Sequence, residues 1–282
     1  MKNSLESGIL EVMNDRVRAF RELHRAGCFV IPNPWDVGSA RLLEQLGFPA
    51  LATTSSGFAW SIGRADNHVT LAAALSHFRV LSSEVNIPIN GDFEGGFAVA
   101  PEDVAENVHD AATTGIAGLS IEDSTGDTRN PLFEFDLAVE RVKAARQALD
   151  RSGTGVMLTG RSEGFIVGQP DLSETVRRLV AYAEAGADCL YAPGIRTPEQ
   201  ISTIVRAVLP KPVNLLVGGP FITVEKARDL GVRRISVGGA LARAAWGGFL
   251  KAAREIVSKG TFEELGNGAT WDELESAFKQ VG

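Results

Sequence analysis

The sequence is poor in the residues that build covalent or thiolate-metal frameworks. It has two cysteines, Cys28 and Cys189, and four histidines, none at metal-ligand spacing from another. This excludes a disulfide scaffold and a Cys/His zinc site. Both thiols sit in apolar runs and read as buried and free, which suits a reducing cytoplasm. No apolar run reaches the ~20 residues that span a bilayer. The first twenty residues carry scattered acids and lack the apolar core of a signal peptide. Bases are the minority charge: 28 Lys and Arg against 35 Asp and Glu leave a net charge of −7. Such a surface repels polyanions, so neither nucleic acid nor membrane is expected as a partner. A small anion remains admissible, because the field inside a site can oppose the global charge.

What the sequence does have is a recurring unit. A helical stretch ends at a glycine and a β-rich run follows, at Gly47, Gly115, Gly186 and Gly231. A glycine past a helix end accepts the left-handed conformation that closes the last turn. Eight short apolar runs follow this logic: 28–33, 50–55, 87–92, 118–122, 155–161, 189–193, 213–217 and 234–238. Near-continuous apolarity predicts strands buried on both faces, hence a parallel sheet. Helix starts are marked by Thr197-Pro198-Glu199-Gln200, a capping box, and by Pro101-Glu102-Asp103. Eight alternations in 282 residues predict one (β/α)8 barrel of the TIM type over 1–282, with 240–282 as a C-terminal helical extension. An open dinucleotide-binding sheet would need a glycine-rich turn after the first strand, and NPWDVGSA is not one.

Barrel enzymes place their chemistry at the C-terminal strand ends. Those ends carry Ser56-Gly57-Phe58, then Asp66, then Asp92-Phe93-Glu94-Gly95-Gly96, then Glu122-Asp123, then Arg161-Ser162-Glu163, and Asn214 on the seventh strand. Crowded carboxylates repel, and a hard divalent cation resolves the repulsion. These strand-end acids, Asp92 and Glu94 among them, are therefore candidate ligands for a divalent cation, Mg²⁺ with Mn²⁺ as the alternative. Asp92-x-Glu94 is expected to put both acids on one side of an extended strand end. Arg161 suits bidentate capture of a carboxylate or an enolate oxygen. Each acid alone could equally be structural: Asp66 could cap a helix and Asp123 could bind its own loop. Gly218-Gly219 and Gly238-Gly239 admit a phosphate site as a weaker reading. His24, His68, His77 and His109 are read as helical and remote from the strand ends, with no chemistry assigned.

Six segments in order, SSGFAWSIGRADN, PINGDFEGGF, AGLSIEDS, TGRSEGF, EAGADCLYAPG and PVNLLV, resemble the isocitrate lyase / phosphoenolpyruvate mutase superfamily along almost the whole chain. The resemblance implies Mg²⁺-dependent making or breaking of C–C or P–C bonds in 2-oxo or 2-hydroxy acids. It also implies a homotetramer, or a homodimer, with terminal helices exchanged between subunits. Asp66, Asp92, Glu94 and Glu122 fall on the family's acidic metal-site positions, and Glu94 departs where the family often has Asp. Ser56, Gly57 and Phe58 match the segment that holds substrate oxygens, and Arg161 matches the substrate-binding arginine. The catalytic assignments are then Arg161, Glu122 and Asp66. After the fourth strand the chain departs: Asp123 to Pro131 contains no Cys, Lys or His, which argues against isocitrate and methylisocitrate cleavage. Asn130 falls near a substrate-binding asparagine of the mutases, and Arg129 could supply a missing charge. The expectation is a C–C lyase for a small anionic carboxylic acid, possible decarboxylation of an oxaloacetate-type substrate included. P–C bond chemistry on phosphonopyruvate and a non-catalytic 2-oxo acid binder are the alternatives.

Overall fold

The computed structural model describes residues 15–279. Most of the twenty-residue N-terminal segment read above as lacking a signal peptide lies outside the described residues. Helix α1 covers described residues 15–23. The alternation then runs β1 (Phe29–Ile31), α2 (Val37–Gln45), β2 (Leu51–Ala52), α3 (Ser55–Ser61), α4 (Leu71–Glu84), β3 (Ile89–Asp92) and α5 (Pro101–Ala112). It continues with β4 (Gly118–Glu122), α6 (Phe135–Ser152), β5 (Met157–Arg161), α7 (Leu172–Glu184), β6 (Cys189–Tyr191) and α8 (Pro198–Val208). It closes with β7 (Val213–Leu216), α9 (Val224–Asp229), β8 (Arg234–Ser236), α10 (Ala240–Lys259) and α11 (Trp271–Lys279).

All eight strands are parallel, in the order β1-β8-β7-β6-β5-β4-β3-β2. The sheet curls until β1 and β2 meet. No ladder joins that pair. The Ala52 amide donates to Pro32 O at 3.0 Å, and Asn33 Nδ2 donates to Thr53 O at 2.9 Å. Asn33 Oδ1 also accepts the Val237 and Gly238 amides, both at 2.9 Å, so one side chain ties three strands together.

The expected strands exist but most are shorter. β4 matches its expected range, whereas β2 keeps only two residues and Ser55 opens a helix instead of ending a strand. Thr54 is the reason: its side chain accepts from the Gly57 amide and caps α3. The expectation of uniformly apolar strands is also corrected. Outward residues such as Leu119, Ile121, Leu158, Leu190, Leu215 and Ile235 pack in one core with the helices. Inward residues Asn90, Ser120, Asn214, Arg234 and Ser236 line a polar lumen. Period-2 alternation thus separates an oily layer outside the sheet from a wet one inside it.

Close helix-to-sheet approach fixes the layer. A Cβ on Gly160 would come within 2.9 Å of Tyr182 on α7, and one on Gly91 within 2.8 Å of Phe78 on α4. The four unit-ending glycines, Gly47, Gly115, Gly186 and Gly231, all have positive φ, as read from sequence. Beyond the barrel, α11 lies on α2, with the Phe278 ring beside Gly38. Among the described residues no helix is long and apolar enough to cross a membrane.

Candidate active site

Three neighbouring strands end in charge. Strand pairing sets Asp92 beside Ser120, Glu122 beside Arg161, and Arg161 beside Tyr191. Arg161 Nη1 lies 3.3 Å from Asp92 Oδ1 and 3.2 Å from Glu122 Oε2, while its Nε donates to Glu163. Its guanidinium also sits 5.1 Å from the centroid of the Tyr191 ring. Burial opposes the charge on Arg161, but Glu122, Glu163 and Asp92 together override it and hold the group protonated. Asp92 is fixed in turn: its Oδ2 accepts the Ser55 amide at 3.0 Å, and its own amide donates to Thr53 Oγ1 at 2.8 Å.

One arginine does not balance five acids. Burial and then the Asp92 and Asp66 charges push Glu94 up to about 7. Burial raises Glu122 despite Arg161, and burial with Asp92 raises Asp66. Such a set fits a divalent cation, which would relieve both desolvation and mutual repulsion. Among the described residues no group of three or more His, Cys, Asp or Glu side chains is placed to hold a metal ion by itself, so a cation here would need water or substrate oxygens to complete its ligands.

Two spaces meet at this rim. An inner cavity of about 190 Å³ is lined by Asp66, Asp92, Arg161, Ser56, Tyr191 and Asn214, among others. At about 30 Å³ per water it has the room of roughly six waters, enough for a small acid. An outer cleft of about 510 Å³ lies between the 93–99 turn and the segment after β4, and exposes Glu94 and Glu122. Arg141 pins that turn by donating to the carbonyls of Gly95, Ala98 and Val99. Glu94 has φ +48°, so a left-handed turn aims it, in place of the extended alternation expected for Asp92-x-Glu94.

The predicted residues divide. Asp66, Asp92, Glu122, Arg161, Ser56 and Asn214 come together around the two spaces, and Glu94 joins them from the outer side. The Gly57 and Phe58 amides are occupied by Thr54, at 3.3 and 3.0 Å, and the Phe58 ring stacks on His77, 3.9 Å between centroids. Asn130 stands exposed at the tip of a hairpin, and Arg129 is held there by Asp127. Asp123 does not serve its own loop alone. Its carboxylate accepts from Tyr182, the Glu163 amide and Arg178, at 2.7, 2.7 and 3.2 Å. His68 is not helical: it lies in the α3–α4 loop and lines the outer cleft. The Val237 and Gly238 amides are engaged by Asn33, which weakens the phosphate reading at the second glycine pair. Sequence reasoning missed Tyr191, Arg234, Asn90 and Ser236. The available signal was strand alternation, since residues two apart on β6 and β8 share the lumen.

The family model for phosphoenolpyruvate phosphomutase matches residues 20–257. A crystal structure from Burkholderia cenocepacia J2315, whose lyase/mutase assignment is provisional, has a TM-score of 0.92 and 44% identity, covering 95% of this chain and 98% of that one. An uncharacterized Mycobacterium tuberculosis protein is 32% identical over 92% of this chain and 95% of its own. The oxaloacetate decarboxylase of Paraburkholderia xenovorans is 30% identical over 80% of this chain and 76% of its own. With the strand-end acids and arginine assembled on a (β/α)8 barrel, these matches establish that the chain belongs to the phosphoenolpyruvate phosphomutase family, within the isocitrate lyase / phosphoenolpyruvate mutase superfamily.

Proposed function

We propose that the protein is a Mg²⁺-dependent carbon–carbon lyase for a small 2-oxo or 2-hydroxy acid, with oxaloacetate decarboxylation as the reaction to test first. The observation that carries this reading is the rim itself: Asp92, Glu122 and Glu163 converge on Arg161 above a small polar cavity. The 30% identity to an oxaloacetate decarboxylase supports the choice of substrate.

Asp92, Glu94 and Glu122 would hold the metal, with Asp66 adding negative charge beside them. When bound, the ion would polarise the 2-oxo oxygen and neutralise charge developing on it. Three carboxylates hold Arg161 through Nε and Nη1, so it would present Nη2, preorganised, to an oxyanion. Loss of CO2 breaks one C–C bond and leaves its electron pair as an enolate. That step removes no proton from a hydroxyl, which fits a segment after β4 without Cys, Lys or His. The same segment forms a hairpin over the outer cleft and would limit water access while the enolate persists.

Self-association as a homodimer or homotetramer and a cytoplasmic setting belong to the same proposal. Exposed Trp246, Phe249, Val257, Phe262 and Trp271 on the C-terminal extension support the first, and two free cysteines the second. The test is NMR turnover of oxaloacetate, dimethylmalate and phosphonopyruvate with Mg²⁺, against EDTA and Glu122→Ala. Metal-dependent pyruvate lost in the variant supports the lyase. Product from phosphonopyruvate alone would move the protein to P–C chemistry, and no product from any of them would sink the proposal.

A further inference from the structure

Below the acidic rim the lumen holds a second guanidinium. Arg234 opens β8, is 3% exposed and lines the inner cavity. Its hydrogen-bond partners among the described residues are all neutral. Nε donates to Asn214 Oδ1 at 2.8 Å and Nη2 to Thr159 Oγ1 at 3.1 Å. Nη1 reaches Asn90 Oδ1 and His24 Nε2, both at 3.4 Å. His24 brings no charge, because burial and then Arg234 push it down to about 3. Arg161 is surrounded by acids, whereas Arg234 has no acidic partner among the described residues. A buried cation without a counter-charge is costly, and here the open space beside it is the cavity floor.

Arg234 also orients its neighbours. By accepting from Arg234, Asn214 Oδ1 is fixed, so the amide NH2 of Asn214 faces Ser236 and donates to its Oγ at 2.9 Å. An amide carries two N–H donors, and this bond uses one. The Ser236 hydroxyl lies beside the Tyr191 phenol. Strand pairing runs Arg161–Tyr191, Tyr191–Asn214, Asn214–Arg234. These residues are the last of β5, the last of β6, the second of β7 and the first of β8, so the row descends from rim to floor. Donors in such a row polarise one another, and a charge at its head strengthens the donor at its end.

We propose that the β6–β8 side of the inner cavity is a second carboxylate subsite, where Asn214, Ser236 and Tyr191 donate to the remote carboxylate of a four-carbon diacid and Arg234, at its floor, supplies the opposing charge. The inference rests on the reading of the rim as a 2-oxo acid site. It assigns selection of a diacid over a monoacid to the lumen, and it makes Arg234 a positioning residue that acts through Asn214.

The experiment is calorimetric titration of the Mg²⁺-loaded protein with two probes. Oxalate is short enough to occupy the rim alone, and 3,3-difluorooxaloacetate carries the second carboxylate that the proposal places against β6–β8. Tyr191→Phe, Ser236→Ala and Arg234→Gln are compared with wild type. The first two remove one hydroxyl each, which keeps the test valid if Arg234→Gln does not fold. A hydrogen bond to a charged group predicts about tenfold or greater weakening of the four-carbon probe. Oxalate affinity should stay within about threefold, since the proposal seats it against Arg161 and the rim acids and assigns it no bond to Asn214, Ser236 or Tyr191. Equal weakening of both probes would mean a structural role and overturn the subsite, as would no change in either. Wild-type binding of oxalate without the four-carbon probe would overturn the subsite and leave the rim reading standing. Binding of neither probe would overturn both.

Discussion

At Arg161 three carboxylates converge on one guanidinium, and the geometry uses its planar fork. Nη1 serves Asp92 and Glu122 while Nε serves Glu163. A lysine keeps the charge but not the fork. Arg161→Lys is therefore expected to lower kcat/KM by about a hundredfold or more while the protein stays folded, a loss of roughly 3 kcal/mol in transition-state stabilisation. Steady-state kinetics with circular dichroism would check it, and a loss under fivefold would refute the role. Two buried histidines set a different property. His77 is pushed down to about 4 by burial, and His24 to about 3. Both folded values lie below the unfolded value of about 6.5. The unfolded chain then binds protons first as pH falls, so the contribution to stability is complete above about pH 6.5 and declines below it. For His77 the decline between pH 6.5 and 5 is about 2 kcal/mol. Half-buried Glu94 and buried Glu122, with raised values, act in the opposite direction from about pH 4.5 upward. The difference between wild type and His77→Leu in denaturant unfolding at several pH values isolates the histidine, and parallel curves would contradict the assignment.

At the scale of elements, the segment after β4 is a hairpin held at its base. Ser124 bridges Leu132, the Phe133 amide donates to Asp123 O at 2.9 Å, and Arg178 bonds both the Asp123 carboxylate and Phe133 O. Asp123 also receives the Glu163 amide, so the hairpin base and the holder of Arg161 share one buried carboxylate. Arg178→Met removes the cation that spans the base and should cost about 2–4 kcal/mol, because Asp123 keeps its burial. Limited proteolysis should then cut within 124–132 faster than in wild type; unchanged cleavage would count against this strap. The elements themselves were largely legible. Glycine at four helix ends and apolar runs located the eight strands, because both signals are local. Strand ends were not, since Thr53-Thr54-Ser55 suits a strand end and a helix cap alike, and the Asp92 carboxylate that receives the Ser55 amide comes from a strand 37 residues away. Rim acids were readable because strand ends mark them. Tyr191 and Arg234 lie inside strand runs that give no sign of a site, and Asn130 resembles a substrate-binding position, because lumen register and hairpin direction depend on contacts distant in sequence.

At the scale of the molecule, the C-terminal extension carries many of the exposed large apolar side chains. Phe249 is 60% exposed, Val257 89% and Trp271 79%, all on the C-terminal extension. Large apolar side chains gathered on one part of the surface mark an association surface. The proposed homo-oligomer predicts a mass of at least two chains by light scattering. Phe249→Glu with Trp271→Glu should shift it toward one chain with little loss of secondary structure. A monomeric wild type at micromolar concentration would remove this part of the proposal.

The join between the β1 and β2 edges of the sheet has a mechanical meaning. Seven of the eight junctions around the wall are ladders, and the eighth is a clasp made of the Ala52 amide bond and Asn33. A hoop under load opens at its clasp. The α3 cap, Ser56 and the loop bearing Asp66 all follow directly from the strand on one side of it, so the same part of the site that must admit a substrate is mounted where the wall yields most easily. Backbone amides of 51–53 should exchange with solvent before those of β4 and β5, and ligand binding should slow them more than any other strand; uniform exchange around the wall would contradict this.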